Sequence, residues 1–289
     1  MNITTPITTI VTHANCPDGK ASAIILNRFF PEARVIFLQY NSKQHLELEA
    51  KPGMLFCDFS PPRERIQDFV QAGAYVLDHH KYAKDIVEAF GDHGVYASEE
   101  ERGVSGAVLA YREVIEPIFG EMEDPRRLAT LAGIRDCWVK ESPLWQEAAE
   151  QAAALQFFDW EYLLSKGFGV EEMELGKYLY QKTLTKAKDI VANNLLDCGK
   201  IAIMSGLETS DVADALFEIN PKIDILAGFA FVIENNKSKM VVSLRSRTGV
   251  DVGCIAKRNG GGGHGQAAGF SIEAPAKQWE AISEILKRI

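Results

Sequence analysis

Residues 74–80 read AYVLDHH, an unbroken apolar run that closes on an acid and two imidazoles. A short apolar run of this kind, bounded by turn residues, reads as a strand buried on both faces. Residues 8–14 (TTIVTHA), 33–40 (ARVIFLQY) and 53–60 (GMLFCDFS) read the same way. Between them, GKASAIILNRFF and PRERIQDFVQAG carry apolar residues at helical spacing. Strands of this type alternating with helices predict an α/β fold, a parallel sheet with helices on both faces. Ligands bind such sheets beyond the carboxyl ends of the strands. Three of the four runs end there in polar groups: His13, Asp58, and the trio Asp78, His79 and His80.

Working outward, residues 104–196 carry helical periodicity almost throughout, and from Lys200 the strand–helix alternation returns. A hairpin is expected around ENNKSK, with residues 235–237 at the turn. At 289 residues the chain exceeds the size at which a single core keeps growing. The expected division is a first domain over residues 1–180, a helical connector over 181–199 and a smaller α/β domain over 200–289.

Composition narrows the function. A net charge of −9 argues against a protein that coats long nucleic acid, which needs many Lys and Arg contacts to phosphate. It leaves room for a small anionic substrate in a locally positive or metal-filled pocket. No apolar run is long enough to span a membrane. The N-terminus lacks the pattern of a secretory signal. The five cysteines are scattered and form no CxxC, which reads as reduced thiols in the cytoplasm.

His13, Asp18, Asp58, Asp78, His79 and His80 gather at predicted strand ends, and Asp136 lies in GIRDCW within a helical region. Mixed carboxylates and imidazoles suit a borderline divalent cation such as Mn²⁺ and are poor for Ca²⁺. Two such cations generate hydroxide near neutral pH and clamp both oxygens of a phosphoryl transfer. Taken singly, a strand-end aspartate is most often a turn or cap residue. The reading rests on the set as a whole.

The stretches HANCPDG, CDFSP, LDHH and GIRDCW, followed by SLRS and NGGGGHGQAAGF, resemble in order the DHH phosphoesterases that carry a DHHA1 domain. The resemblance implies a two-lobed architecture and a metal-dependent phosphoesterase. Its substrate would be a small nucleotide or short oligonucleotide: nanoRNA, pAp, or a linear or cyclic dinucleotide. It implies metal ligation by His13, Asp18, Asp58, His79 and Asp136, with Asp58 bridging, and catalysis by Asp58, His79 and His80. Asp78 would orient an imidazole. Mn²⁺ is the expected cation, one ion or two, with Co²⁺ or Mg²⁺ as substitutes. No long duplex and no membrane is expected as partner, and a homodimer is compatible with the resemblance.

Lys20 stands where the family carries a second aspartate of its first motif, and one extra residue precedes Pro17. A protonated lysine cannot ligate metal. Either Lys20 supplies charge to a substrate phosphate, or Asn15 restores the second cation site. The departure also keeps open a binding or assembly protein with a decayed metal site. In the second domain, the glycines Gly261, Gly262 and Gly263 are expected to form a nest of backbone N–H groups for an anion. His264 and Arg245 would grip the phosphate, whereas Arg247 and Lys257 are as readily surface residues.

Overall fold

The computed structural model describes residues 1, 3–14, 16–97, 100–207, 209–234, 237–247, 249–263, 265–274 and 278–289. Two compact units are present, Met1–Tyr180 and Gln181–Ile289.

The first unit is built on five parallel strands: β1 Thr9–His13, β2 Arg34–Leu38, β3 Met54–Cys57, β4 Tyr75–Asp78 and β5 Gly94–Tyr96. Their spatial order is β2-β1-β3-β4-β5. Burial on both faces follows from residue alternation along each strand. Ile10, Leu55, Cys57, Tyr75 and Leu77 enter one core, and Val11, Met54, Phe56 and Val76 enter the other. Helix α1 (Pro17–Phe29) and the short α2 (Lys43–Leu46) follow β1 and β2, and α3 (Ile66–Gln71) and α4 (Lys84–Glu88) follow β3 and β4. Beyond β5 the chain is helical, as its periodicity predicts. Helix α5 (Gly106–Ala110) runs through a π-helical stretch at Tyr111–Ile115 into α6 (Glu116–Phe119). Then come α7 (Glu123–Asp136), α8 (Trp145–Phe157), α9 (Trp160–Lys166) and α10 (Val170–Asn193).

The second unit holds a six-stranded mixed sheet in the order β10-β11-β9-β8-β7-β6. Its strands are β6 Leu196–Asp197, β7 Ile201–Ser205, β8 Ile225–Glu234, β9 Lys237–Ser246, β10 Gly262–Gly263 and β11 Ala267–Glu273. Among the described residues, only β7 and β8 pair in parallel. Ala202, Met204 and Leu226 face a core shared with α11 (Thr209–Ile219), while Ile203, Ile225 and Ala227 face one shared with α12 (Val252–Arg258) and α13 (Gln278–Arg288). The β8–β9 hairpin forms about the expected turn, whose residues 235 and 236 lie outside the described residues. Three short strands escape the sequence reading: β5, β6 (inside the expected connector) and β10 (inside the expected glycine loop). Each is too short to show periodicity.

Candidate metal centre

Because all five strands of the first unit run parallel, their carboxyl ends share one edge. The order reverses between β1 and β3, and the crevice outside such a reversal is where ligands bind. His13 ends β1, and Asp58 directly follows β3. Asp78 ends β4, with His79 and His80 next in the chain. Asp136 closes α7, and Cys137 caps it.

Asp58 takes a left-handed backbone, φ 57°. Non-glycine residues rarely adopt it, and such strain gathers at functional sites. Its N–H donates to the Leu77 carbonyl at 3.0 Å. Gly106, at the start of α5, packs so tightly that a Cβ there would lie 2.3 Å from Asp58 Cβ.

Three overlapping donor sets result: His13, Cys16 and Asp58; Asp58, His79 and His80; His79, Asp136 and Cys137. Within each, the ligand atoms lie within 4.8 Å of one another. His79 Nε2 stands 3.2 Å from Asp58 Oδ1 and 3.4 Å from Asp136 Oδ2. Asp78 Oδ1 accepts from both the backbone N–H (2.9 Å) and Nδ1 (2.7 Å) of His80. Its Oδ2 accepts from Ser60 Oγ at 2.5 Å and the Tyr40 hydroxyl at 3.2 Å. Behind them His45 Nδ1 accepts from the Asn41 N–H, so its Nε2 carries the proton and donates to the Ser60 carbonyl.

Burial alone would depress both imidazoles of the Asp-His-His trio. Hydrogen bonds to Asp58 and Cys137 and the Asp136 charge override burial and hold His79 well above its ordinary value. The hydrogen bond and charge of Asp78 lift His80 to about 9. Burial would raise Asp78, but the two imidazoles and Ser60 bring it to about 2. Asp58 is likewise lowered against its burial by the surrounding histidines. Asp18 goes the other way: burial, then the Asp58 and Asp136 charges, push it well up.

Two polar atoms of this cluster, His13 Nδ1 and Asp58 Oδ2, are buried without a hydrogen-bond partner. Asp58 is 1% exposed. An unpaired buried carboxylate oxygen is costly, and a bound cation answers it. The donors are nitrogen, oxygen and sulfur within reach of a single ion. The residues fit a divalent metal.

In the second unit, a cavity of about 780 Å³ is lined by Lys239, Ser243, Arg245, Ser271 and the glycines 260–263. Arg245 Nε donates to Ser210 Oγ at 3.1 Å, and its Nη1 donates to the Leu244 carbonyl at 2.8 Å.

Residues 199–289 match the DHHA1 domain. Along its length the chain is similar to the pGpG-specific phosphodiesterase PggH of Vibrio cholerae. That match has a TM-score of 0.60 at 12% identity, over 96% of this chain and 97% of that one. It is also similar to an exopolyphosphatase-related protein of Bacteroides fragilis, TM-score 0.52 at 16% identity over 98% and 91%. At these identities the likeness is one of fold. Residues 199–289 are a DHHA1 domain, and the chain shares its fold with these two proteins. An uncharacterized protein, R106 of Acanthamoeba polyphaga mimivirus, is 24% identical over 91% of this chain and 67% of its own.

At the sheet edge of the first unit, His13, Asp58, His79, His80 and Asp136 come together. Asp18 lies beside the donor sets and in none of them. Its Oδ1 accepts from Ser105 Oγ at 2.5 Å, and the Ala107 N–H at the start of α5 stands 3.3 Å from both its oxygens.

Lys20, expected to supply charge to a substrate phosphate, is engaged at the end of α8. Its Nζ donates to the Leu155 and Phe158 carbonyls at 2.8 and 2.7 Å. Helix α1 packs on α8, whose terminal carbonyls and dipole attract a cation.

The glycine nest is corrected in part. The Gly260 and Gly261 N–H groups donate to the Lys257 and Ala256 carbonyls, closing α12, and are therefore taken. Gly262 and Gly263 form β10 against Gly269 and Ala268. Glycine is required because a Cβ at 261 would lie 2.1 Å from the Gly269 carbonyl oxygen, a backbone contact within the DHHA1 sheet. His264 and Asn15 lie outside the described residues. Arg247 donates to the Phe217, Asn220 and Ile223 carbonyls at the end of α11, and Lys257 is exposed.

Cys16, Cys137, Tyr40, Ser60, Ser105 and Gly106 were missed as members of the site or its support. Two carried a signal, since Cys16 sits inside HANCPDG and Cys137 follows Asp136. The other four are ordinary loop, strand-end or helix-start residues, and only the fold brings them in.

Proposed function

We propose that this protein is a divalent-cation-dependent phosphoesterase acting on small nucleotides or short oligonucleotides, such as linear or cyclic dinucleotides, pAp or nanoRNA. The observation that carries the reading is Asp58. It belongs to two of the three donor sets, holds a strained left-handed backbone, and keeps a buried oxygen without a protein partner. His13, Asp58, His79, His80 and Asp136 are the ligands, with Mn²⁺ the ion their nitrogen and oxygen donors favour and Co²⁺ or Mg²⁺ as substitutes. When bound, one or two such ions supply an activated water and charge to the phosphate oxygens.

The chain's own groups do the rest. Asp78 fixes the His80 ring through Nδ1, so ligation falls to Nε2. Tyr40 and Ser60 hold Asp78 in turn. Asp58 and His79 act on the reacting phosphate through the charge they hold in place. We assign catalysis to residues 1–180 and phosphate binding to residues 200–289, where Arg245 faces the glycine-walled cavity. Gly262, Gly263 and His264 complete that assignment. A cytoplasmic location fits the five free cysteines.

The activity of the two structural relatives supports the reaction class, since one is described as a pGpG-specific phosphodiesterase and the other as exopolyphosphatase-related. The decayed-site alternative drew on Lys20. With Lys20 engaged at α8, five ligand residues stand without it.

The test is hydrolysis of pGpG, pAp, cyclic dinucleotides and short RNAs by full-length protein with Mn²⁺, Co²⁺ or Mg²⁺, and with chelator. Turnover that needs the ion and vanishes in Asp58→Asn is the expected result. Nucleotide binding without turnover under every ion would overturn the proposal in favour of a binding protein.

A further inference from the structure

Two thiols stand inside the donor sets. Cys16 shares a set with His13 and Asp58, and Cys137 shares one with His79 and Asp136. The two sets have no residue in common, and the third set joins them through Asp58 and His79. The set that holds Cys16 also holds both cluster atoms that are buried without a partner, His13 Nδ1 and Asp58 Oδ2. Cys16 caps the N-terminus of the 13-residue α1; burial, then the Asp58 and Asp136 charges, hold its thiol well above its ordinary value, so it is a bound cation that draws off its proton. The other cysteines are placed differently. Cys57 donates to the Gly106 carbonyl at 3.2 Å in the core, and Cys198 and Cys254 belong to the second unit.

We propose that Cys16 and Cys137 are thiolate ligands of this centre, which makes it a mixed sulfur, nitrogen and oxygen site for a thiophilic dication such as Zn²⁺, Co²⁺ or Fe²⁺. The proposal rests on reading the cluster as a dication site, and it adds what the His and Asp ligands alone would leave to Mn²⁺. Thiolates select such ions over Mn²⁺ and Mg²⁺. Each outer set then offers one sulfur, one imidazole nitrogen and one carboxylate oxygen. Three protein ligands with a fourth position for water or a substrate oxygen is the pattern of catalytic zinc sites. As each sulfur–metal bond forms, the S–H bond breaks and its proton passes to bulk water.

The experiment is a Co²⁺ titration of metal-free full-length protein, followed by near-ultraviolet absorption and equilibrium dialysis. A sulfur-to-cobalt charge-transfer band should appear in step with binding. Cys16→Ser and Cys137→Ser should each weaken it, the double variant should lose it, and Cys254→Ser should leave it intact. Excess Zn²⁺ should displace the Co²⁺, and excess Mn²⁺ should not. A second measurement needs no variant: Zn²⁺ should shield Cys16 and Cys137, but not Cys254, from alkylation mapped by mass spectrometry. Bound Co²⁺ without a sulfur band, or alkylation that Zn²⁺ leaves unchanged, overturns the thiolate ligands while the dication site stands. Failure of Co²⁺ and Mn²⁺ to bind at all removes both.

Discussion

At the scale of single residues, proton and cation compete for the same imidazoles. His80 is lifted from its ordinary 6.5 to about 9 by Asp78, and His79 is also raised, so both hold protons at neutral pH when no cation is bound. Binding must expel those protons, and dication affinity should therefore climb with pH through about 9. Calorimetric Mn²⁺ titrations across that range check it, and a flat profile would place the ion away from His79 and His80. The sign for folding is opposite. A raised imidazole stabilises the cation-free protein fully below 6.5 and ceases to do so as pH rises through about 9. Lys20 offers the second test. Lys20→Met leaves the α8 carbonyls without their cation and should destabilise the first unit by about 1 kcal/mol. Metal content and turnover should stay as in the wild type, measured by denaturant titration, metal analysis and rate. Loss of turnover without loss of stability would return Lys20 to the substrate. Lysine at position 20 was legible in the sequence as a departure, but its partner lies 135 residues away, and no local pattern announces that.

At the scale of elements, α5 is the support that the strand ends need. Its first residues meet both aspartates: Ser105 and Ala107 bond Asp18, while Gly106 packs on Asp58. Gly106→Ala would force a Cβ into Asp58 and should cost roughly 1–3 kcal/mol as overpacking, or push Asp58 out of its left-handed backbone. Dication affinity should fall along with stability, read by calorimetry on a variant whose circular dichroism matches the wild type. Unchanged affinity would show that Asp58 does not depend on this contact. The strands themselves were legible, because each is a short apolar run with a polar tail. The contact between Gly106 and Asp58 was not, since it joins residues far apart in sequence and glycine carries no chemical signature of its partner. The glycine run shows the converse. Its exceptional composition was obvious, and its physical cause is the β10–β11 backbone contact and the end of α12 as well as any ligand.

At the scale of the molecule, two units with separate cores share one chain, and the candidate cation site belongs to the first. A ligand that binds only the folded form stabilises it, by about 2.7 kcal/mol at a hundredfold excess over Kd. Saturating Mn²⁺ should raise the calorimetric transition of residues 1–180 by several degrees, and chelator should reverse it, with the transition of the second unit unmoved. A shift confined to the second unit would misplace the site. By itself the sequence determined the α/β class, the first four strands of the first sheet, the order of elements after Lys200 apart from β10, and the chemical types at the strand ends. These follow from hydrophobic period and turn chemistry, which are local. Tertiary structure alone decided that β1 and β3 are neighbours where the strand order reverses, that Cys16 and Cys137 stand among the ligands, and that Lys20 turns to α8. Each depends on which elements pack together, and burial and backbone carbonyls far along the chain set that outcome without a trace in the local pattern.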